Sequence, residues 1–179
     1  RYGCDSNIIQ KNIVKDNNIS TAKSFSGAMA VGIRYSSDHN IIMDSLASGN
    51  NLTSKGSAFG GGFGIYVMSD NNTFINSTFI RNNVTINRSM YGGGLSVVSL
   101  SDDNNFYNTT IAYNTFNARD IVGGAAIGIY SNVWNTTVIG INVSSNTFNV
   151  SGEFGVIGII QDANNNTIRG GTVNSSSDY

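Results

Sequence analysis

The chain has no proline, one cysteine, one histidine and one tryptophan, and its 179 residues include just 10 basic and 11 acidic ones. Each scarcity removes a class of protein. One cysteine rules out an internal disulfide framework, so Cys4 reads either as an intermolecular crosslink or as an inert small hydrophobe. A formal charge of −1 gives no electrostatic basis for binding nucleic acid, an anionic membrane or a polyanionic substrate. No window approaches the roughly 18–20 apolar residues of a membrane-spanning helix. The first residue is not Met and no basic-then-apolar leader follows it, which fits a mature form or an excised segment of an exported protein.

What the chain has instead is 27 Asn beside 21 Gly, with 40% apolar residues. Asn and Gly form turns, and the absence of Pro leaves every strand edge able to pair. That is the composition of repetitive β-structure.

The repeat is visible directly. "HNIIMDSLASGNNLT" (39–53), "NNTFINSTFIRNNVT" (71–85), "DNNFYNTTIAYNTFN" (103–117) and "NTTVIGINVSSNTFN" (135–149) align without a gap at a spacing of 32 residues. Ile42, Phe74, Phe106 and Val138 share one column, Ala47, Phe79, Ile111 and Val143 a second, and Leu52, Val84, Phe116 and Phe148 a third. Two more, from Val31 to Ile157 and from Ile33 to Ile159, lie two residues apart in every unit. An alternation of period two marks strands, and a fixed period of this length marks a solenoid. The fold class expected is therefore all-β: a parallel β-helix of about 5.5 coils as one domain over residues 1–179, with three short strands per coil.

The first interval is 33 and the last is 30, and both deviations fall between the invariant Asn and the next Gly-rich strand. A coil tolerates such changes where a loop leaves the stack, so one variable outward loop per coil is expected there. It carries Lys23, Lys55, Arg88, Arg119, Asp120 and Glu153.

Asn17, Asn50, Asn82, Asn114 and Asn146 form the invariant column. Asn tolerates left-handed backbone at a tight turn and its amide can bond to the same amide one coil away, so the column reads as a structural ladder. Asp38, Asp70 and Asp102 also align, and stacked carboxylates suggest either a weak Ca²⁺ site or capped, solvated turns. "GGGFG" (60–64) is not followed by a helix or a Lys-Ser/Thr pair, so it is not a phosphate loop.

Twelve Asn-X-Ser/Thr triplets occur, and the candidate glycosylation sites are Asn87, Asn18, Asn51, Asn76, Asn83 and Asn108, with Asn87 in the loop the best placed. Met43, Ile75, Tyr107 and Ile139 each follow an inward residue, so alternation turns them outward as a candidate lateral interface. Tyr66, Tyr91, Tyr113, Tyr130 and Trp134 are candidate exposed rings for a carbohydrate partner. His39 reads as a turn residue, and neither a paired-carboxylate nor a nucleophilic triad pattern is present. No cofactor is expected.

The stretches "NNTFINSTFIRNN", "NNFYNTTIAYNTF" and "GGGFGIYVMSDNN" resemble right-handed parallel β-helix repeats of the NosD-like type and of archaeal adhesin-like surface proteins. The resemblance covers almost the whole chain and implies the fold more than an activity. With uncapped coil ends and near-zero charge, the expectation is a non-enzymatic structural protein of an extracellular surface, sheath or filament that self-associates. An adhesin or carbohydrate-binding β-helix is the alternative, and a polysaccharide lyase or hydrolase stands behind both.

Overall fold

A computed structural model describes residues 3–26, 28–121, 124–151 and 155–176. All the strands pair in parallel, and no helix occurs among the described residues. The chain is a β-solenoid of about five turns, with strands in a five-stranded and a sixteen-stranded sheet.

The five-stranded sheet stacks Val31–Arg34, Phe63–Tyr66, Leu95–Val98, Gly124–Tyr130 and Gly155–Ile160 in register. The larger sheet wraps the rest of each coil in three rows. The first contains Ile8–Gln10, Ile41–Met43, Thr73–Ile75 and Asn105–Tyr107, and the second Ile13–Lys15, Leu46–Ser48, Thr78–Ile80 and Thr110–Ala112. The third contains Asn18–Thr21, Asn51–Ser54, Asn83–Tyr91 and Thr115–Ile121. In the last coils the rows run together as Thr137–Val150 and Thr167–Ser176. The residues after the Asn turn thus form a row of their own beyond the three strands expected, giving each complete coil at least four.

The apolar columns meet inside. Phe74, Phe79, Phe106, Ile42, Leu52, Phe63 and Ile65 are fully buried, and Phe74 stacks on Phe106 at 5.0 Å and Phe116 on Phe148 at 5.4 Å. Identical spacing in the sequence becomes ring-on-ring contact at the pitch of a parallel sheet, about 4.8 Å between strands.

Corners between rows are made by single left-handed residues. Asp44, Asn76, Asn108, Gly140 and Gly170 turn the first row into the second, and Asp16, Gly49, Arg81, Tyr113 and Ser145 turn the second into the third. The left-handed position is therefore the residue before the ladder asparagine, not the asparagine itself. Arg81 takes the positive φ, which frees Asn82 to point its amide inward.

The segment expected to loop outward mostly does not. Asn83–Tyr91 continues as a strand paired with Thr115–Ile121, and the outward excursion is a bulge after Ile86 that exposes Asn87 and Arg88. Ala58, Ile86 and Met90 are buried. Beyond the bulge the chain turns back over the outer face of the five-stranded sheet: a β-carbon on Gly128 would lie 2.9 Å from the nitrogen of Gly92, and the Tyr66 hydroxyl donates to the Phe59 carbonyl at 2.6 Å. This face can be covered so closely because it presents Gly64, Ser96 and Gly128 between its larger residues. Lys23, Lys55, Arg88 and Arg119 are exposed along this segment, whereas the Asp120 side chain and Glu153 lie outside the described residues.

Candidate functional site

The Asn82 column is a hydrogen-bonded ladder. Each buried Oδ1 accepts both the backbone N–H and the amide N–H of the asparagine one coil earlier: Asn50 bonds to Asn82 at 2.9 Å twice, and Asn82 to Asn114 at 2.9 and 3.1 Å. The same pattern joins Asn17 to Asn50 and Asn114 to Asn146. The remaining amide hydrogen goes to a carbonyl of the previous coil, from Asn82 to Ala47 and from Asn114 to Phe79. Every polar atom of a buried amide is thereby matched, which is what lets it sit at the edge of an apolar core.

A second ladder escaped the sequence reading. Asn7, Asn40, Asn72 and Asn104 repeat the arrangement at the corner entering the first row, with Asn72 also donating to the Ser37 carbonyl. Its signal was the 32-residue spacing of Asn40, Asn72 and Asn104, hidden because each stands beside other turn-forming residues. Thr136 interrupts it before Asn166, and the buried Thr136 hydroxyl has no hydrogen-bond partner.

Serines make a third set of corners. The hydroxyls of Ser37, Ser69 and Ser101 donate to the carbonyls three residues back, and Ser37 and Ser69 accept from the backbone of the coil before. Cys4 occupies the serine position of the first coil; its N–H donates to Ser37 Oγ at 3.1 Å and its side chain is exposed. The thiol is thus accessible, as an intermolecular crosslink would require.

Asp38, Asp70 and Asp102, aligned as either a Ca²⁺ site or turn caps, make capping hydrogen bonds from coil to coil. Asp38 Oδ1 accepts from the backbone of Asp70 at 2.8 Å, Asp70 from Asp102 at 2.7 Å, and Asp102 from Trp134 at 2.8 Å, with Asp5 starting the series. One oxygen of each carboxylate is committed to capping the next coil. Among the described residues no group of three or more His, Cys, Asp or Glu side chains is arranged to hold a metal ion. Burial raises the pKa of Asp70, and the neighbouring Asp102, Asp38 and Asp103 add like-charge repulsion that the Asp102 N–H partly offsets.

Met43, Ile75, Tyr107 and Ile139 pair strand to strand in one row, each half-buried on the outer face. Gln10 precedes Met43 in register and Arg169 follows Ile139, so the apolar strip is four coils long with a polar residue at each end.

The candidate aromatic rings differ in exposure. Tyr66, expected outside, is buried beneath the folded-back segment, and desolvation pushes its phenol pKa well above the ordinary value. Tyr91 stands between Phe59, 4.6 Å away and nearly parallel, and Tyr130, 4.8 Å away. Phe59 thus covers one face of Tyr91, while the Tyr130 ring is tilted 50° to it. Tyr113 and Trp134 are exposed, but they occupy different corners. His39 is at a left-handed turn, as its column suggested.

Asn18, Asn51 and Asn83 carry sequons and also form an outer amide ladder that continues to Asn117 and Asn149. Asn76 and Asn108 belong to a shorter one that begins at Asp44. Asn87 is exposed on the bulge, away from both.

No family model, curated protein or solved structure matches the chain. The resemblance to NosD-like and adhesin-like repeats therefore holds at the level of the solenoid fold alone.

Proposed function

We propose that the protein is a non-enzymatic building block of an extracellular surface layer, sheath or filament, assembled from copies of itself. The observation that carries this reading is the strip Met43, Ile75, Tyr107 and Ile139, an in-register apolar row on the outside of four consecutive coils. Such a row on a flat sheet face suits a second copy laid alongside, since both would present the same pitch. Stacking of coil on coil is the second contact. It would extend the parallel pairing that already joins each coil to the next. The capped carboxylates and the buried Tyr66 leave structure as the role of most repeated polar residues. Asn87 is the glycan acceptor this reading favours, since a sugar there would extend from a bulge without breaking a ladder.

Sedimentation of the purified chain over a range of concentrations tests the reading. Concentration-dependent association that Ile75→Lys weakens is expected; a strictly monomeric chain at high concentration would overturn it.

A further inference from the structure

The outer face of the third row differs from the others. One outward column runs Asn18, Asn51, Asn83, Thr115 and Thr147. The second, two residues along each strand, runs Ser20, Thr53, Thr85, Asn117 and Asn149. All of these side chains are exposed or half-buried, and every one ends in a neutral hydroxyl or amide. The first row breaks such a pattern with Met43, Ile75 and Tyr107, and the second with Lys15 and Ile80.

The face is a rigid lattice. Strand pairing repeats its groups at about 4.8 Å from coil to coil, and two residues of extended chain separate the columns by about 6.7 Å. Between the columns stand Leu52, Val84 and Phe116, fully buried, which anchor the strands to the core. The outward side chains are held as well. Asn51 donates to Asn18 Oδ1 at 3.3 Å, Asn83 to Asn51 at 3.2 Å, Asn117 to Asn83 at 3.1 Å and Asn149 to Asn117 at 2.8 Å. Asn117 also donates to Thr85 Oγ1 at 3.1 Å, so the amide series crosses from one column to the other without a break.

We propose that this face binds ice. Its ligand has to be uncharged, periodic in two dimensions and able to offer a hydrogen-bonding atom at every node. Ice meets all three conditions, since the oxygens of its crystal planes recur at spacings close to the strand pitch in one direction and to the column separation in another. Water resting on side chains already locked in place takes on part of that order in advance, so little freedom is left to lose when the crystal is met. A crystalline polysaccharide is also periodic, but sugar rings are gripped by stacking on exposed aromatic rings, and neither column contains one. A second copy laid on this face would have to strip water from its amides and hydroxyls, a cost that the apolar strip of the first row avoids. The inference goes beyond the structural reading above and does not depend on it, because a single chain carries the whole face.

The test labels the full chain at the exposed Cys4 thiol and grows an ice hemisphere slowly in its solution. The share taken into the ice is compared with that of a labelled reference protein that ice excludes. Thr53→Lys and Thr85→Lys place a charge at the centre of the face, Thr78→Lys places one on the second row, and circular dichroism checks the fold of each. The parent and Thr78→Lys should be enriched in the ice, and the two face variants should fall to the level of the excluded protein. Exclusion of the parent overturns the proposal, as does uptake that Thr85→Lys leaves unchanged or that Thr78→Lys abolishes equally. Retention on crystalline chitin or cellulose in place of uptake by ice names a different occupant and overturns it too. Uptake by a chain that sediments as a monomer retains the ice face and rejects the polymer, whereas polymer without uptake does the reverse.

Discussion

At the scale of single residues the ladders work because every amide hydrogen and oxygen has a fixed partner one coil away, and the point where that fails is informative. Thr136 stands in a column of asparagines, retains the backbone bond to Asn166 Oδ1, and leaves its own hydroxyl unmatched. Thr136→Asn would restore an acceptor for the Asn104 amide in a space that Asn40, Asn72 and Asn104 show to suit that side chain. The variant should gain about 1 kcal/mol, or roughly 2–4 °C in Tm, measured by thermal unfolding. Asp70 gives the complementary case. Its folded-state pKa lies above the unfolded one, so the folded chain holds more proton and stability falls as pH rises upward from the ordinary carboxylate range. Asp70→Asn keeps an oxygen for the Asp102 N–H and removes the charge. It should be more stable than the parent at neutral pH, with the advantage vanishing as pH falls into the carboxylate range; urea midpoints across pH measure it.

At the scale of the strands, what was legible in the sequence followed from the pitch. Columns such as Phe74 with Phe106 predict contacts because a parallel sheet places identical positions one above another, and the Asn82 ladder followed for the same reason. The folded-back segment was not legible, because its length varies at both ends of the chain and variability resembles a loop; the Gly64 and Gly128 positions that admit it read merely as small residues. Tyr66 was misplaced for this reason: alternation turned it outward correctly, but the folded-back segment covers it. That cover depends on Gly128, where a β-carbon would lie 2.9 Å from the Gly92 nitrogen and 3.1 Å from its α-carbon. Gly128→Val should lift the segment from the sheet, costing about 1–3 kcal/mol. The environment of Tyr91 and Tyr130 should change with it in near-ultraviolet circular dichroism, and an unchanged tyrosine signal would contradict so close a contact.

At the scale of the whole molecule, a stack in which each coil touches only its neighbours distributes stability along an axis. The coils around Phe74 and Phe106 are closed on both sides, while the inward Ile9 at one end and Val173 at the other are exposed. Backbone protection should therefore be greatest near the middle and fall toward both ends. Phe106→Ala makes this measurable, because that ring stacks on Phe74 at 5.0 Å and its loss should cost about 3–5 kcal/mol. In a globular core such a loss lowers the protection of every globally exchanging amide alike. In this solenoid, native-state hydrogen exchange should instead show the largest loss at Thr73–Ile75, Asn105–Tyr107 and the start of Thr137–Val150, with smaller changes at Ile8–Gln10. An equal loss throughout would mean that the coils unfold as one unit, and that their stacking is more cooperative than contact between neighbours alone provides.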